Sequence, residues 1–321
     1  MHDVMFYEAF AEEEQALRHY LPTGCRAGFS AQTVQASGAA APPAPLISIR
    51  TQSILPQSWH PHVRGLLART TGYDHLRPLR LLDRPPALAC LPEYCSRAVA
   101  EQAALLWLAL LRRLPAQLAQ WTTFNRDGLT GGECARRTLA VVGVGRIGHD
   151  IVQIGRGLGM KVMGVDPVPR HADVTYRPWP EAAAQADIIV ASMDLNGTNH
   201  QFFNRATLDG QCRPHALLIN VARGELVNTA DVLALLDEQK LGGLAMDVYA
   251  EETRIADALR GAGEGGPELD LLHQLARHPN VLMTPHNAFN TQEAVDRKSD
   301  YSVQQVVHFL QHGQFRWPWV G

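Results

Sequence analysis

From residue 139 onward, short apolar runs recur at 139–142, 161–165, 187–191, 216–221, 243–248 and 281–284, and helical spacing fills the intervals between them. Runs of four to six apolar residues read as strands buried on both faces, and their alternation with helices predicts successive βα units. The fold class expected is α/β: a doubly wound parallel sheet of Rossmann type, with a second, smaller α/β domain. Residues 1–95 supply the start of that smaller domain, with strands at 4–6 and 46–49, a helix at 12–20, and a segment at 65–69 leading into Thr71-Gly72. The stretch from Ser37 to Pro45 is rich in Ala and Pro and cannot continue a helix or a ladder, so it is expected as a surface loop. Residues 96–114 are apolar nearly all round and predict a covered helix. A last helix at 291–312 is expected to pack back on the N-terminal unit. The domains expected are 1–95 with 290–321, and 96–289.

Composition narrows the partners. Of 321 residues, 46% are hydrophobic and 19% charged, and 29 basic against 32 acidic side chains give a formal charge of −3. This balance offers no broad attraction for nucleic acid or an anionic membrane, so neither is expected as a partner. No apolar run approaches the ~20 residues needed to span a bilayer, and the N-terminus lacks the pattern of a signal peptide. Five cysteines without paired Cys-x-x-Cys spacing suggest neither a disulfide framework nor a zinc site. A reduced, cytoplasmic setting and no metal are the expectation.

The first chemistry-bearing motif is Gly143-Val144-Gly145-Arg146-Ile147-Gly148, placed directly after a predicted strand and opening a helix at 149–158. In such a loop the first glycine allows the tight turn, the second lets the backbone approach a pyrophosphate, and the third lets the helix close on the sheet. The phosphates then face unpaired N–H groups at the helix N-terminus. Asp166 ends the next strand, 18 residues beyond Gly148. A carboxylate there accepts hydrogen bonds from ribose hydroxyls and repels a 2′-phosphate, which favours NAD over NADP.

Ligands of an open parallel sheet lie beyond the carboxyl ends of its strands. Those ends carry Asn220-Val221-Ala222-Arg223-Gly224, then Asp247 with Glu252 five residues on, then Pro285-His286. A guanidinium grips a carboxylate bidentately and polarises the adjacent carbonyl. Imidazole exchanges a proton near neutral pH, and a carboxylate beside it fixes the ring and stabilises imidazolium. Arg223, His286 and Glu252 therefore suit hydride transfer between nicotinamide and C2 of a 2-keto or 2-hydroxy acid. Asp247 is a candidate for the nicotinamide end of the cofactor.

On these residues the chain resembles the D-isomer-specific 2-hydroxyacid dehydrogenase family, most of all its D-lactate dehydrogenase branch. The resemblance runs through Gly143 to Gly148, the segment from Leu218 to Val227, Ala245-Met246-Asp247-Val248-Tyr249, and the segment from Asn280 to Phe289. It implies catalytic roles for Arg223, Glu252 and His286, with Glu252 preferred to Glu251. It implies that Thr71 and Gly72 offer backbone amides to the substrate carboxylate and that Tyr94 faces the substrate. Arg146, Ile147, Asp166, Met193, Asn199, Val221, Ala222 and Asp247 match positions that line NAD. A homodimer is expected, with the helix at 96–114 as an interface, together with catalysis between domains that hinge near Ser96 and near 289–291. Asp194, Gln102 and Asn290 depart from the family pattern. Pyruvate is the favoured keto acid. Glyoxylate, hydroxypyruvate or aryl-keto-acid reduction, and an NADH-sensing corepressor-like binding role, are the alternatives.

Overall fold

The computed structural model describes residues 2–91 and 93–319. Two compact units emerge, Met1–Cys95 with Asn290–Gly321, and Ser96–Phe289.

The smaller unit is built on a parallel five-stranded sheet of β1 (Val4–Phe6), β2 (Ala27–Phe29), β3 (Leu46–Ile49), β4 (Gly65–Ala68) and β5 (Ala87–Ala89), in the order β2-β1-β3-β4-β5. Chain direction across the sheet reverses between β1 and β3. Helices Ala11–Tyr20 and Gln292–His312 pack on one another, and the second also covers β4. Thr291 caps the C-terminal helix by accepting from the Ala294 N–H at 3.2 Å, which satisfies one of the donors orphaned at a helix start. Phe309 from that helix lies so close to Gly65 that a Cβ there would come within 2.6 Å of its ring. Ile47, Ile49, Leu66, Trp59 and Leu88 form the core on the sheet.

The larger unit carries β6 (Thr138–Val142), β7 (Lys161–Val165), β8 (Ile188–Ala191), β9 (Ala216–Asn220), β10 (Leu241–Met246) and β11 (Val281–Met283) in one parallel sheet. Their order is β11-β10-β9-β8-β6-β7. A short segment outside β7 extends it: Gly164 pairs in parallel with Tyr176, the Gly164 N–H reaching the Thr175 carbonyl and the Arg177 N–H the Gly164 carbonyl, both at 2.9 Å. Thr175 to Arg177 gives no apolar run, so the hydrophobic pattern passes over this edge. With it, the sheet has the dinucleotide-binding order, and its direction switches between β6 and β8. Ala140, Ile189, Leu218, Leu244 and Met246 fill the core, together with the helices that flank the sheet.

The helix expected at 96–114 ends at Leu111. Arg113 turns left-handed, with φ 52°, and a new helix, Leu114–Gln120, starts with a proline in its first turn. The first of the two lies against helix Arg146–Gly157, β9 and β10. Residues 253–267 are largely the end of one helix, Glu252–Leu259, and a turn into the next, Gly266–Leu275.

Candidate active site

Because every strand of the larger sheet runs the same way, all six carboxyl ends open on one rim. The glycine motif begins where β6 ends. Gly143 has φ 91°, its N–H donates to the Val165 carbonyl at 2.8 Å, and a Cβ would strike the backbone of Met193 after β8. The loops after β6 and β8 thus touch at the switch point, where Ser192 Oγ also donates to the Gly143 carbonyl at 2.7 Å. A side chain on Gly148 would collide with that same carbonyl. Gly145 differs: a Cβ there meets nothing within 4 Å, and the residue caps helix Arg146–Gly157 with no side chain of its own. Its bare backbone faces open space at a helix N-terminus, the cradle a pyrophosphate requires. Asp166 leaves β7 half-buried, with Oδ2 accepting from the Val144 N–H and Oδ1 from the Val168 N–H, each at 2.8 Å. Each oxygen keeps acceptor capacity for a ribose hydroxyl. Ile147 is half-buried, Arg146 exposed, and Val221 and Ala222 are buried at the end of β9. The site's residues fit a dinucleotide.

Asn199 turns inward on its own loop, donating to the Asp194 carbonyl at 2.7 Å and accepting from the Asn196 N–H at 2.8 Å. Its amide therefore shapes the loop after β8, and Asp194 is exposed on that loop.

Three further loops converge along the rim. Glu252 and His286 meet directly: Nδ1 of the imidazole lies 2.7 Å and 2.9 Å from the two carboxylate oxygens, and both side chains are largely buried. Glu251, the neighbouring acid, pairs with Arg254 at 3.0 Å instead. His286 sits at φ 49°, an uncommon conformation for a residue with a side chain, and its N–H reaches the Thr284 carbonyl at 2.9 Å. Asp247 holds the turn around it. Fully buried, it accepts from Thr284 Oγ1 at 2.5 Å, from the Asn287 N–H at 2.9 Å and from the Ala288 N–H at 2.8 Å. Burial raises the Asp247 carboxyl above its ordinary value, against those hydrogen bonds. The sequence suggested this aspartate for the cofactor; its three bonds go to the loop that carries the histidine.

Arg223 follows β9, with Nη1 donating to the Ala222 carbonyl at 2.7 Å. Asn220, fully buried, brackets that turn: Oδ1 accepts from the Ala222 N–H at 3.1 Å and Nδ2 donates to the Arg223 carbonyl at 2.8 Å. Strand-end position alone assigns Asn220 no role. Its two-residue spacing before Ala222 is the Asx-turn signal that shows it. Gly224 comes next, and a Cβ there would run into the backbone of Tyr249 and Ala250, so the loops after β9 and β10 are in contact.

On the smaller unit, Thr71 and Gly72 lie in the turn after β4, exposed and half-buried respectively, and Thr70 Oγ1 holds the turn by donating to the Gly72 carbonyl at 2.7 Å. Thr71 Oγ1 lies 3.6 Å from Cys95 Sγ. Tyr94 is buried, with its ring 6.0 Å from Lys298 Nζ. Burial pushes its phenol well above the ordinary range. Arg297 Nε also donates to the Tyr94 carbonyl at 3.0 Å. On the larger unit, His149, His171 and Asp173 come together beside the glycine motif's helix. The two imidazoles stack at 4.1 Å and 14°, and Arg156 donates to Asp173 at 2.8 Å, holding its carboxyl down at about 2. Ring faces in contact and an acid engaged by a guanidinium describe a surface ion-pair network.

A dinucleotide cradle and an acid–imidazole pair along one strand-end rim define a nicotinamide-dependent oxidoreductase. The NAD-binding domain model of the D-isomer-specific 2-hydroxyacid dehydrogenases matches residues 104–288, more than half of the chain. The D-2-hydroxyacid dehydrogenase (NAD+) of Lacticaseibacillus paracasei is 31% identical over 258 residues, covering 78% of this chain and 77% of its own. The D-lactate dehydrogenase of Escherichia coli K12 is also 31% identical over 258 residues, with the same coverage of 78% and 77%. Among solved structures, D-lactate dehydrogenase from Aquifex aeolicus, complexed with NAD and lactic acid, superimposes with a TM-score of 0.84 at 25% identity over 98% of each chain. The chain belongs to the D-isomer-specific 2-hydroxyacid dehydrogenase family, on the side of its D-lactate dehydrogenases, and is an NAD-dependent enzyme.

Proposed function

We propose that the enzyme interconverts a small 2-keto acid, pyruvate or a close analogue, and the D-2-hydroxy acid. The observation that carries this reading is the Glu252–His286 pair on the rim that also bears the glycine cradle. NAD, when bound, supplies the hydride to C2 or takes it back. Gly143, Gly145, Arg146, Ile147 and Gly148 hold the pyrophosphate and Asp166 the ribose, with Met193, Asn199, Val221 and Ala222 lining the remainder. Arg223 grips the substrate carboxylate and polarises the keto oxygen. Glu252 occupies Nδ1 of His286, which makes Nε2 the proton donor. In reduction the C2 carbonyl π bond breaks, hydride forms the new C–H bond, and the His286 proton forms the O–H bond. The imidazole is left neutral, to be reprotonated from solvent. Asp247 acts through the turn it fixes around His286.

The protein works as a homodimer in the cytoplasm in this reading. Leu118, Trp121 and Phe124 support the dimer, being 68%, 72% and 69% exposed on consecutive turns after the helix Ser96–Leu111. The five cysteines are free thiols, which suits a reduced compartment, and among the described residues no helix is long and apolar enough to cross a membrane. The test is NADH loss at 340 nm against pyruvate, glyoxylate, hydroxypyruvate and phenylpyruvate, repeated with NADPH. Turnover with pyruvate and strong preference for NADH are expected. Tight NADH binding with no turnover of any keto acid would replace the enzyme reading with a binding one.

A further inference from the structure

β10 runs between β9 and β11, so a residue just past its end can reach the loops of both neighbours. Tyr249 stands there, three positions beyond Met246, half-buried against the core of the larger unit. Its hydroxyl donates to the Thr284 carbonyl at 2.8 Å and lies 3.2 Å from the Met246 carbonyl. A phenol has one proton to give, and the shorter contact takes it. Burial foremost, then the negative charges of Asp247 and Glu252, keep the phenol above its ordinary value, so the donor stays protonated.

The Thr284 carbonyl is also the acceptor of the His286 N–H, at 2.9 Å. His286 has φ 49°, a conformation that persists only where the surroundings over-determine it. Asp247 holds this turn through Thr284 Oγ1 and the Asn287 and Ala288 N–H groups, and Tyr249 holds it through the Thr284 carbonyl. Toward β9, the main chain of Tyr249 lies directly against Gly224, where a Cβ would strike it. Arg223 precedes that glycine, and Glu252 follows Tyr249 by three residues, at the start of helix Glu252–Leu259. A single residue therefore touches the loops that carry Arg223 and His286 while belonging to the loop that carries Glu252.

We propose that Tyr249 is a positioning residue, which sets His286 against Glu252 and keeps both in register with Arg223. Its phenol works as a donor to the main chain and takes no part in proton transfer to substrate. The proposal rests on the reaction proposed above and adds one residue to its machinery.

The experiment is single-turnover hydride transfer in Tyr249→Phe, with enzyme and NADH mixed against an excess of whichever keto acid of the panel above turns over fastest. Phenylalanine keeps the ring in its packing and deletes the one donor. The rate constant belongs only to molecules that are folded and loaded, and the amplitude counts them. The rate constant should fall about 10-fold, while the amplitude and the NADH Kd hold within about twofold because the glycine cradle lies after β6. In a Glu252→Gln background the same substitution should cost less than about 3-fold, since the charged pair it aligns is already gone. A wild-type rate constant in Tyr249→Phe, a loss of amplitude alone, or equal costs in the two backgrounds overturns the role and leaves the reaction standing. A wild-type enzyme that reduces no keto acid overturns the reaction, and the role with it.

Discussion

Replacing Gly224 by alanine tests the contact on which the catalytic rim depends. The new methyl would occupy the space of the Tyr249 carbonyl carbon and the Ala250 nitrogen, both of them backbone, so no side chain can rotate out of its way. The loops after β9 and β10 must part by a distance on the order of 1 Å. Arg223 immediately precedes the substituted position, and Glu252 lies two residues beyond Ala250. Overpacking of this kind costs about 1–3 kcal/mol, a fall in Tm of roughly 2–10 °C for a unit of this size. A displacement of that order between groups that must act together costs about 10²-fold in rate. The assay is kcat/KM with pyruvate and NADH beside a thermal melt and an NADH titration, and NADH affinity should hold within a few-fold because the glycine cradle lies after β6. Gly157→Ala is the control. It closes the helix Arg146–Gly157, a Cβ there meets nothing within 4 Å, and the substitution should stabilise by about 0.4–1 kcal/mol. Wild-type kcat/KM in Gly224→Ala would refute the reasoning that these two loops are held in register by backbone contact.

Glu252→Gln keeps a hydrogen bond to His286 and removes the charge; it should lower kcat by about 10²-fold with little change in NADH affinity, and unaltered kcat would discount the pair. Asp166→Ala should raise KM for NADH and narrow the preference over NADPH, and an unchanged cofactor ratio counts against its ribose role. Glu13 is held at about 2 mainly by Arg69 and Lys298 against its burial, so its stabilisation is complete above the ordinary value of 4.5 and drains away as pH falls toward 2. Lys298 gives a slope of the same sign in a higher pH window. Its folded value of about 7 lies below the ordinary 10.5, so between those pH values the unfolded chain binds more protons and stability rises with pH. Urea midpoints from pH 7 to 9.5 should therefore climb more steeply in the wild type than in Lys298→Met, and parallel slopes would contradict the assignment.

The sequence exposes the larger sheet because strands buried on both faces, such as β8 and β9, carry unbroken apolar runs. It conceals β2 and β5, where Ala27-Gly28-Phe29 and Ala87-Leu88-Ala89 are three residues long and mostly small. The acid–imidazole pair could be read from strand-end position, since β10 and β11 are neighbours and bring Glu252 and His286, 34 residues apart, to one place. Asp247 illustrates what position cannot reveal. A strand-end carboxylate looks the same in sequence whether or not it accepts three hydrogen bonds from the next loop, as this one does. The enclosure of Tyr94 was equally hidden, because Lys298, beneath its ring, comes from the far end of the chain.

That far-end contribution sets an order of events during synthesis. Helix Gln292–His312 supplies Phe309 to β4 and Lys298 to Glu13. The first ninety-five residues therefore leave the ribosome lacking their closing piece, and they wait while the whole intervening unit is made. The unit begun by residues 1–95 is the last to mature, and a nascent chain stalled before Gln292 presents an unfinished hydrophobic surface for chaperones to shield.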